Sequence, residues 1–145
     1  MAESLVIIPT YNEKENIEKI IRKVFSLSHA FDILIVDDGS PDGTADIVKR
    51  LQLNEFQNRL FIEERKGKLG LGTAYIHGFK WGLAREHYQY IFEMDADFSH
   101  NPEDLVRLRQ ACVDGADMSI GSRYIKGVNV VNWPMSRVLM SYCAS

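Results

Sequence analysis

Residues 32–44 read DILIVDDGSPDGT, a short apolar run followed by a turn of Asp, Gly, Ser and Pro and then the start of a helical pattern. A continuous apolar run of this length is typical of a strand buried in a parallel sheet. Glycine, proline and aspartate are the residues that favour tight turns. This stretch therefore predicts a strand over Asp32–Val36, a polar turn, and a helix over Thr44–Leu53.

The same alternation of strand and helix extends along the chain on both sides of this stretch. Further strands are predicted at Ser4–Pro9, Leu60–Glu63, Tyr90–Met94 and Asp117–Gly121. Further helices are predicted at Lys14–Leu27, Thr73–Arg85 and Pro102–Val113, the last with Asn101 as its cap. Strict alternation at this spacing predicts an α/β fold with a mostly parallel central sheet and helices on both faces. Ligands of such sheets bind beyond the carboxyl ends of the strands.

Length and composition indicate one globular domain over 1–145. Of the 145 residues, 46% are hydrophobic and 26% are charged, as in ordinary soluble proteins. The net charge of −3 argues against a general nucleic-acid binder, which needs a positive balance. No apolar run reaches the roughly 18 residues of a membrane-spanning helix. Cys112 and Cys143 form no disulfide framework and no ligand pair, so we expect reduced thiols in a cytoplasmic protein.

Both ends of the chain also carry information. The first residues, MAESLVIIP at 1–9, lack the basic segment and long apolar core of a signal peptide. The last residues, 136–145, read as a helix without a cap. We therefore expect the chain to be truncated at its carboxyl end.

Asp95 and Asp97 follow the fourth predicted strand and form the strongest local signal. Two carboxylates at positions i and i+2 can face one pocket where the chain leaves the pleat. Mg²⁺ prefers oxygen ligands and typically takes one or two carboxylates together with substrate phosphates. Capping explains one of these aspartates but not readily both, so the pair predicts a divalent metal site. His100 is better explained as a polar loop residue than as a ligand.

The other strand ends carry weaker signals. After the first strand, Tyr11 can stack on a base and Glu13 can accept from a ribose or base, although a strand end with a cap explains them equally well. After the second strand, an Asp such as Asp38 can accept from a base or ribose, with a turn and cap as the alternative. Arg123 and Arg137 suit phosphate contacts, or are surface charges.

The glycine-rich loop after the third strand, RKGKLGLGT at 65–73, precedes a helix whose N-terminus favours anions. Its glycines match neither the GxGxxG spacing nor the lysine-containing pattern of nucleoside triphosphatases. Its basic residues indicate an anionic neighbour, and a solvated basic loop is an equal alternative.

Together these segments resemble the family-2 glycosyltransferases of the GT-A fold. The segments that carry the resemblance are VIIPTYNE (6–13), IVDDGSPDGT (35–44), KGKLGLGTAYIHGFKWG (66–82), EMDADFSHNPEDL (93–105), GSRYIKG (121–127) and NWPMSR (132–137). The combination of the glycine-rich segment, DADFSHNPED and GSRYIKG with NWP is similar to the polyprenol-phosphate (dolichol-phosphate) mannosyltransferases.

The resemblance implies a Rossmann-like GT-A nucleotide-sugar-binding domain that uses Mg²⁺ or Mn²⁺, GDP-mannose as donor and a polyprenyl phosphate as acceptor, with inversion of the sugar. It implies a nucleoside site formed by Pro9, Tyr11, Glu13, Val36 and Asp38. It implies a metal site formed by Asp95, Asp97 and, in the place of a third ligand, Ser99. It implies further contacts to the donor or the acceptor phosphate by Ala96, Lys68, Arg123 and Arg137, with Asp97, Arg123 and Arg137 as the catalytic set.

Two positions depart from the pattern of the relatives. Ser99 stands where relatives with a third metal ligand often have Gln, and Val128 follows Gly127 where relatives often have a second glycine. Serine can bind a metal ion but does so more weakly than the Gln of those relatives. A water molecule is therefore the expected alternative to Ser99 as third ligand.

A lipid acceptor implies peripheral contact with the cytoplasmic face of a membrane, while the oligomeric state stays open. Three alternatives also stay open. The first is a family-2 enzyme with another donor or acceptor, such as UDP-glucose, and the second is a nucleotide-binding module without catalysis. The third, a dinucleotide-dependent oxidoreductase, is disfavoured because no GxGxxG follows the first strand.

Overall fold

The computed structural model describes residues 2–121 of the chain, and within them four strands alternate with four helices. The strands are β1 (Ser4–Thr10), β2 (Asp32–Asp37), β3 (Leu60–Glu64) and β4 (Tyr90–Glu93). The helices are α1 (Ile17–Phe25), α2 (Thr44–Asn54), α3 (Leu71–Leu83) and α4 (Asp104–Val113). Every predicted element except the fifth strand is present, and its ends lie close to the predicted ones.

The sheet formed by these strands is parallel throughout, in the order β3-β2-β1-β4. The register aligns Leu5 of β1 with Asp32 of β2 and with Ile91 of β4. The chain runs outward from β1 to β3 and then crosses back to place β4 on the other side of β1. This order confirms the predicted α/β fold, and its reversal point between β1 and β4 is where sheets of this type bind ligands.

Apolar side chains of the central strands alternate between the two faces of the sheet. One face packs against α1, α2 and α4 and includes Val6, Ile8, Ile33 and Ile35. The other face packs against α3 and includes Leu5, Ile7, Leu34 and Val36. Because helices cover both faces, the strands read as continuous apolar runs in the sequence.

Small residues let α3 lie close to β1. Ala74, Gly78 and Gly82 recur every fourth residue and are buried. A Cβ atom at Gly78 would lie 2.5 Å from Ile7 Cγ2, and one at Gly82 would lie 2.8 Å from Leu5 Cδ2. Glycine weakens an isolated helix by about 1 kcal/mol relative to alanine. Here it is the residue that permits the observed approach of helix and strand.

The predicted fifth strand over 117–121 is not formed. Ser119 Oγ donates a hydrogen bond to the carbonyl oxygen of Leu108 at 2.8 Å, so this segment lies against α4. Met118 and Ile120 are each 76% exposed instead of facing a core. Within residues 2–121 the outer edge of β4 pairs with no strand, because the segment lies along α4 instead of extending the sheet.

The structure places Asn101 just before α4, where the sequence predicted a cap. Asn101 Oδ1 accepts from the N–H of Glu103 at 3.1 Å, so Asn101 caps the turn that leads into α4. Pro102 lies in that turn and not in the helix itself. In the described part of the chain, no helix combines the length and apolar character needed to cross a membrane.

Candidate functional site

A pocket of about 240 Å³ opens at the carboxyl edge of the sheet, at the reversal point between β1 and β4. It is lined by the last residues of β1, by residues that follow β1, β2 and β4, by the glycine-rich loop and by the first turns of α3. The lining comprises Pro9, Thr10, Tyr11, Glu13, Asp38, Lys68, Gly70, Leu71, Ala74, Asp95, Ala96 and Asp97. Most residues that the sequence singled out for ligand binding therefore lie together around one pocket.

Four predicted site residues are not part of this lining. Val36 is fully buried in the apolar cluster beneath α3, so the pocket lining gives no support to the nucleoside contact predicted for it. Ser99 follows the acidic pair but does not line the pocket. Arg123 and Arg137 lie outside the described residues. The roles of these four residues stay predictions.

Asp95 and Asp97 each have one carboxylate oxygen held by a protein donor. The Tyr75 hydroxyl donates to Asp95 Oδ1 at 2.7 Å, and the Ser99 N–H donates to Asp97 Oδ1 at 2.9 Å. Hydrogen bonding from the Ser99 side chain is the main cause that keeps the pKa of Asp97 below its ordinary value. The Asp97 carboxylate is therefore ionised at neutral pH, as a metal ligand must be.

The donor set of the pocket fits a hard divalent cation that is shared with a substrate. Within residues 2–121, no three His, Cys, Asp or Glu side chains converge on one point. A cation beside Asp95 and Asp97 would thus complete its coordination with substrate oxygens and water. That arrangement is the one Mg²⁺ commonly adopts with phosphate substrates.

The loop that carries the acidic pair has a strained backbone. Phe98, between Asp97 and Ser99, has a φ of 61° and is 41% exposed. A bulky residue rarely adopts this left-handed conformation, which costs on the order of 1–3 kcal/mol. The strained turn allows the Ser99 N–H to reach back to Asp97, so the strain serves to orient that carboxylate.

His100 closes the same loop by a hydrogen bond to its first residue, Asp95. Its Nδ1 accepts a hydrogen bond from the Asp95 N–H at 3.1 Å, and its Nε2 lies 4.0 Å from Asp95 Oδ2. A ring nitrogen that accepts a hydrogen bond carries no proton, so the remaining ring proton is on Nε2. His100 therefore helps to hold the loop, which agrees with its interpretation as a loop residue.

Asp38 is paired with Arg65, a residue that the sequence analysis did not single out. Arg65 Nε lies 2.6 Å from Asp38 Oδ1 and Arg65 Nη2 lies 2.9 Å from Asp38 Oδ2. The two side chains are only 9% and 8% exposed. Arg65 also donates to Thr73 Oγ1 at 3.0 Å and to the Gly70 carbonyl at 3.3 Å. It thereby ties the end of β2 to the glycine-rich loop.

The neighbouring Asp37 serves the loop rather than the pocket. Its Oδ1 accepts from the hydroxyls of Thr10 and Ser40, both at 2.7 Å, and its Oδ2 accepts from the Ser40 N–H at 3.0 Å. Asp37 is 1% exposed. The two adjacent aspartates therefore have separate roles, since Asp37 organises the turn and Asp38 lines the pocket.

Lys68 and Tyr11 both line the pocket and contact each other. Lys68 Nζ lies 4.8 Å from the centroid of the Tyr11 ring, within the range of a cation–π contact. Opposite charge is supplied by Glu13, whose pKa is raised by burial and further by the carboxylates of Asp97 and Asp95. The pocket thus offers an aromatic face, one cation and several carboxylates, which suits a nucleoside with phosphates and a bound cation.

Comparison with known families and proteins gives a consistent result. The family described as Glycosyl transferase family 2 matches residues 5–143. A polyprenol monophosphomannose synthase of Mycolicibacterium smegmatis is 49% identical over 98% of this chain and 53% of its own length. An undecaprenyl-phosphate mannosyltransferase of Micrococcus luteus is 45% identical over 97% of this chain and 56% of its own length. A dolichol-phosphate mannosyltransferase of Pyrococcus furiosus is 41% identical over 94% of this chain and 37% of its own length. The chain spans about half the length of the first two relatives.

Solved structures agree on the fold. A mannosyltransferase of Pyrobaculum calidifontis, in complex with GDP-Man and Mn²⁺, superposes with a TM-score of 0.52 at 25% identity, covering 55% of this chain and 24% of that protein. TarS of S. aureus superposes with a TM-score of 0.61 at 18% identity, covering 85% of this chain and 39% of that one. The second comparison bears on the fold alone.

Proposed function

This chain belongs to glycosyl transferase family 2, and we propose that it carries the donor site of a hexosyltransferase that moves mannose from GDP-mannose to a polyprenyl phosphate. The observation that carries the proposal is the pair Asp95 and Asp97 in a pocket at the reversal point of the sheet. The three relatives described above are 41–49% identical to this chain. Their names refer to mannose and to polyprenol, undecaprenyl phosphate or dolichol phosphate, which supports the choice of sugar and acceptor.

The pocket lining suggests how the donor is held. The nucleoside contacts residues at the end of β1 and just after β1 and β2, namely Pro9, Tyr11, Glu13 and Asp38. Lys68 lies beside Tyr11 and is available to the phosphates. Ala96, between the two aspartates, is proposed to contact the donor as well. Arg123 and Arg137 are assigned to the diphosphate or the acceptor phosphate by the family resemblance.

Asp95 and Asp97 would hold a divalent cation, and Ser99 is its proposed third ligand or is replaced by water. Bound there, Mg²⁺ or Mn²⁺ would stabilise the negative charge that develops on the departing diphosphate. The complex of the Pyrobaculum calidifontis mannosyltransferase with GDP-Man and Mn²⁺ supports this assignment. The ionised state of Asp97, favoured by the hydrogen bonds from Ser99, prepares the site for a cation.

The reaction joins an acceptor phosphate oxygen to the anomeric carbon while the bond from that carbon to the GDP oxygen breaks. The bonding electrons leave with GDP, and the configuration of the sugar inverts. A phosphate monoester has a second pKa of about 6 and is ionised near neutral pH. The nucleophile therefore needs no general base, unlike a hydroxyl acceptor. This agrees with a pocket whose carboxylates are committed to the donor and cation.

A polyprenyl phosphate resides in a membrane, so the proposal includes peripheral contact with the cytoplasmic membrane face. The proposal requires no nucleic acid and makes no statement about oligomeric state.

The proposed reaction is tested by incubating the protein at its full natural length with labelled GDP-mannose, Mn²⁺ and polyprenyl phosphate. We expect lipid-linked mannose and free GDP, and we expect Asp97→Ala to abolish both because the cation loses a ligand. Asp114→Ala is the matched control, since Asp114 follows α4 and is hydrogen-bonded only to Gln110 among the described side chains. Absence of the product, transfer from UDP-glucose in preference to GDP-mannose, or unchanged transfer by Asp97→Ala would contradict the proposal.

A further inference from the structure

Tyr75 joins two elements of the pocket that are far apart in the sequence. It lies in the second turn of α3, and its hydroxyl donates to Asp95 Oδ1, in the loop after β4, at 2.7 Å. Both side chains are half-buried, but Asp95 lines the pocket and Tyr75 does not. The phenol thus approaches Asp95 from the protein side and leaves the pocket side open.

The Tyr75 hydroxyl can act only as a donor in this contact. A tyrosine hydroxyl ordinarily loses its proton only near a pH of about 10, whereas a carboxylate oxygen is an acceptor. The hydroxyl is therefore the donor in this contact and Asp95 Oδ1 the acceptor.

One oxygen of Asp95 is thereby held and the other is left for a ligand. Within residues 2–121, Asp95 Oδ2 accepts no hydrogen bond, and the nearest ionisable partner, His100 Nε2, lies 4.0 Å away. The hydrogen bond to Oδ1 restricts rotation of the Asp95 carboxylate about its Cβ–Cγ bond. The Ser99 N–H holds Asp97 Oδ1 in a comparable way, so each aspartate is oriented by one protein donor.

The position of Tyr75 follows from the close packing of α3 on β1. Ala74 and Gly78 flank Tyr75 on the buried side of the helix, and the absence of a side chain at Gly78 allows contact with Ile7. A larger residue at Gly78 would push the helix away from the sheet and move the hydroxyl from Asp95.

We propose that Tyr75 is a positioning residue that orients the Asp95 carboxylate towards the cation and the donor diphosphate. The inference rests on the proposed function, because it assumes that Asp95 is a metal ligand. Residues that orient a metal ligand typically contribute about 10–100-fold in metal affinity. We therefore expect Tyr75→Phe, which keeps the ring and removes only the hydroxyl, to weaken Mn²⁺ binding by about 10–100-fold.

The chain supplies a matched control for this substitution. The hydroxyl of Tyr88, another half-buried tyrosine, donates to Asp32 Oδ2 at 2.8 Å. Asp32 is the first residue of β2, so this second pair lies at the edge of the sheet opposite the pocket. Tyr88→Phe therefore removes the same kind of tyrosine–aspartate hydrogen bond without touching the candidate site.

The measurement is a titration with Mn²⁺ in the presence of saturating GDP, in which free Mn²⁺ is followed by electron paramagnetic resonance. The wild type, Tyr75→Phe, Tyr88→Phe and Asp97→Ala are compared, and GDP binding without metal is measured for each. We expect weaker Mn²⁺ binding for Tyr75→Phe, unchanged Mn²⁺ binding for Tyr88→Phe, and equal metal-free GDP binding for both. If Tyr75 had only a structural role, Tyr75→Phe would weaken metal-free GDP binding together with Mn²⁺ binding.

Two results would overturn the inference, and they differ in what else they affect. If Asp97→Ala loses Mn²⁺ binding but Tyr75→Phe binds Mn²⁺ as tightly as Tyr88→Phe does, the positioning role is wrong and the proposed function stands. If the wild type binds no Mn²⁺ with GDP, or if Asp97→Ala binds it normally, the metal site itself is wrong and the inference falls with it.

Discussion

Arg65 is the residue that makes a buried carboxylate at position 38 tolerable. Both oxygens of Asp38 are paired with its guanidinium, and both side chains are nearly inaccessible. A carboxylate has about four acceptor positions, so this pairing leaves Asp38 able to accept from a ligand as well. The pair also fixes the glycine-rich loop through Thr73 and Gly70.

Removing this guanidinium is expected to be costly for the fold. Arg65→Ala leaves the Asp38 carboxylate buried and unpaired, so we expect the free energy of unfolding to fall by about 3–5 kcal/mol. Arg65→Lys keeps the charge but loses the two-point contact, and a smaller loss is expected. Urea denaturation measures both changes.

Arg107→Ala is the control for that experiment. Arg107 pairs with Asp104 on the surface of α4, and its side chain is 78% exposed. Exposed pairs contribute at most about 1 kcal/mol. Equal losses for Arg65→Ala and Arg107→Ala would show that the Asp38 pair is not a structural requirement.

Single residues also show what a sequence can and cannot predict. The sequence predicted a binding role for Asp38, Asp95 and Asp97 because they follow predicted strands, and all three line the pocket. It did not identify Arg65 or Tyr75 as their partners. These partners are 27 and 20 residues away in the chain, and only the packing of the elements brings them into contact.

At the scale of elements, α3 depends on contact with the sheet rather than on its own helix propensity. Its glycines would predict a weak helix, yet Gly78 and Gly82 are the positions at which β1 comes closest. The sequence predicted the helix from its apolar pattern, but it gave no indication that these glycines face Ile7 and Leu5.

Gly78→Ala tests this interpretation of α3. Alanine normally stabilises a helix by about 1 kcal/mol relative to glycine. Here the new Cβ would lie 2.5 Å from Ile7 Cγ2, so we expect a net loss of about 1–3 kcal/mol in the free energy of unfolding. Gly72→Ala is the matched substitution in the same helix, where a Cβ would meet nothing within 4 Å.

Denaturation midpoints of the two alanine variants should therefore move in opposite directions. Gly72→Ala is expected to raise the midpoint or leave it unchanged, and Gly78→Ala to lower it. A stabilising Gly78→Ala would mean that α3 does not pack as closely on β1 as the structure shows.

The predicted fifth strand shows that an alternation of apolar residues does not by itself predict a strand. Met118 and Ile120 alternate as strand residues do, but alternation does not supply a neighbouring strand. The segment follows α4, and Ser119 is hydrogen-bonded to that helix. Within residues 2–121 the outer edge of β4 is free, so apolar alternation and a free sheet edge are not together sufficient to form a strand.

At the scale of the whole molecule, the alternation of strands and helices was sufficient to predict the parallel sheet. It also predicted a ligand site at the carboxyl edge, and the pocket lined by Asp95 and Asp97 lies at that edge. The strand order β3-β2-β1-β4 was not predicted, and it is what brings the ends of β1 and β4 together. Membership of the family and the pocket at the reversal point therefore support each other, since one concerns sequence and the other geometry.

The most direct test of the central claim is calorimetric binding of GDP, UDP and GDP-mannose, with and without Mn²⁺, to the wild type and to Asp97→Ala. We predict that GDP and GDP-mannose bind more tightly than UDP. We also predict that Mn²⁺ strengthens this binding in the wild type and not in Asp97→Ala. Three results would contradict the assignment of this pocket as the metal-dependent GDP-mannose site: nucleotide affinity that is the same with and without Mn²⁺, tighter binding of UDP than of GDP, or equal Mn²⁺-dependent binding by the wild type and Asp97→Ala.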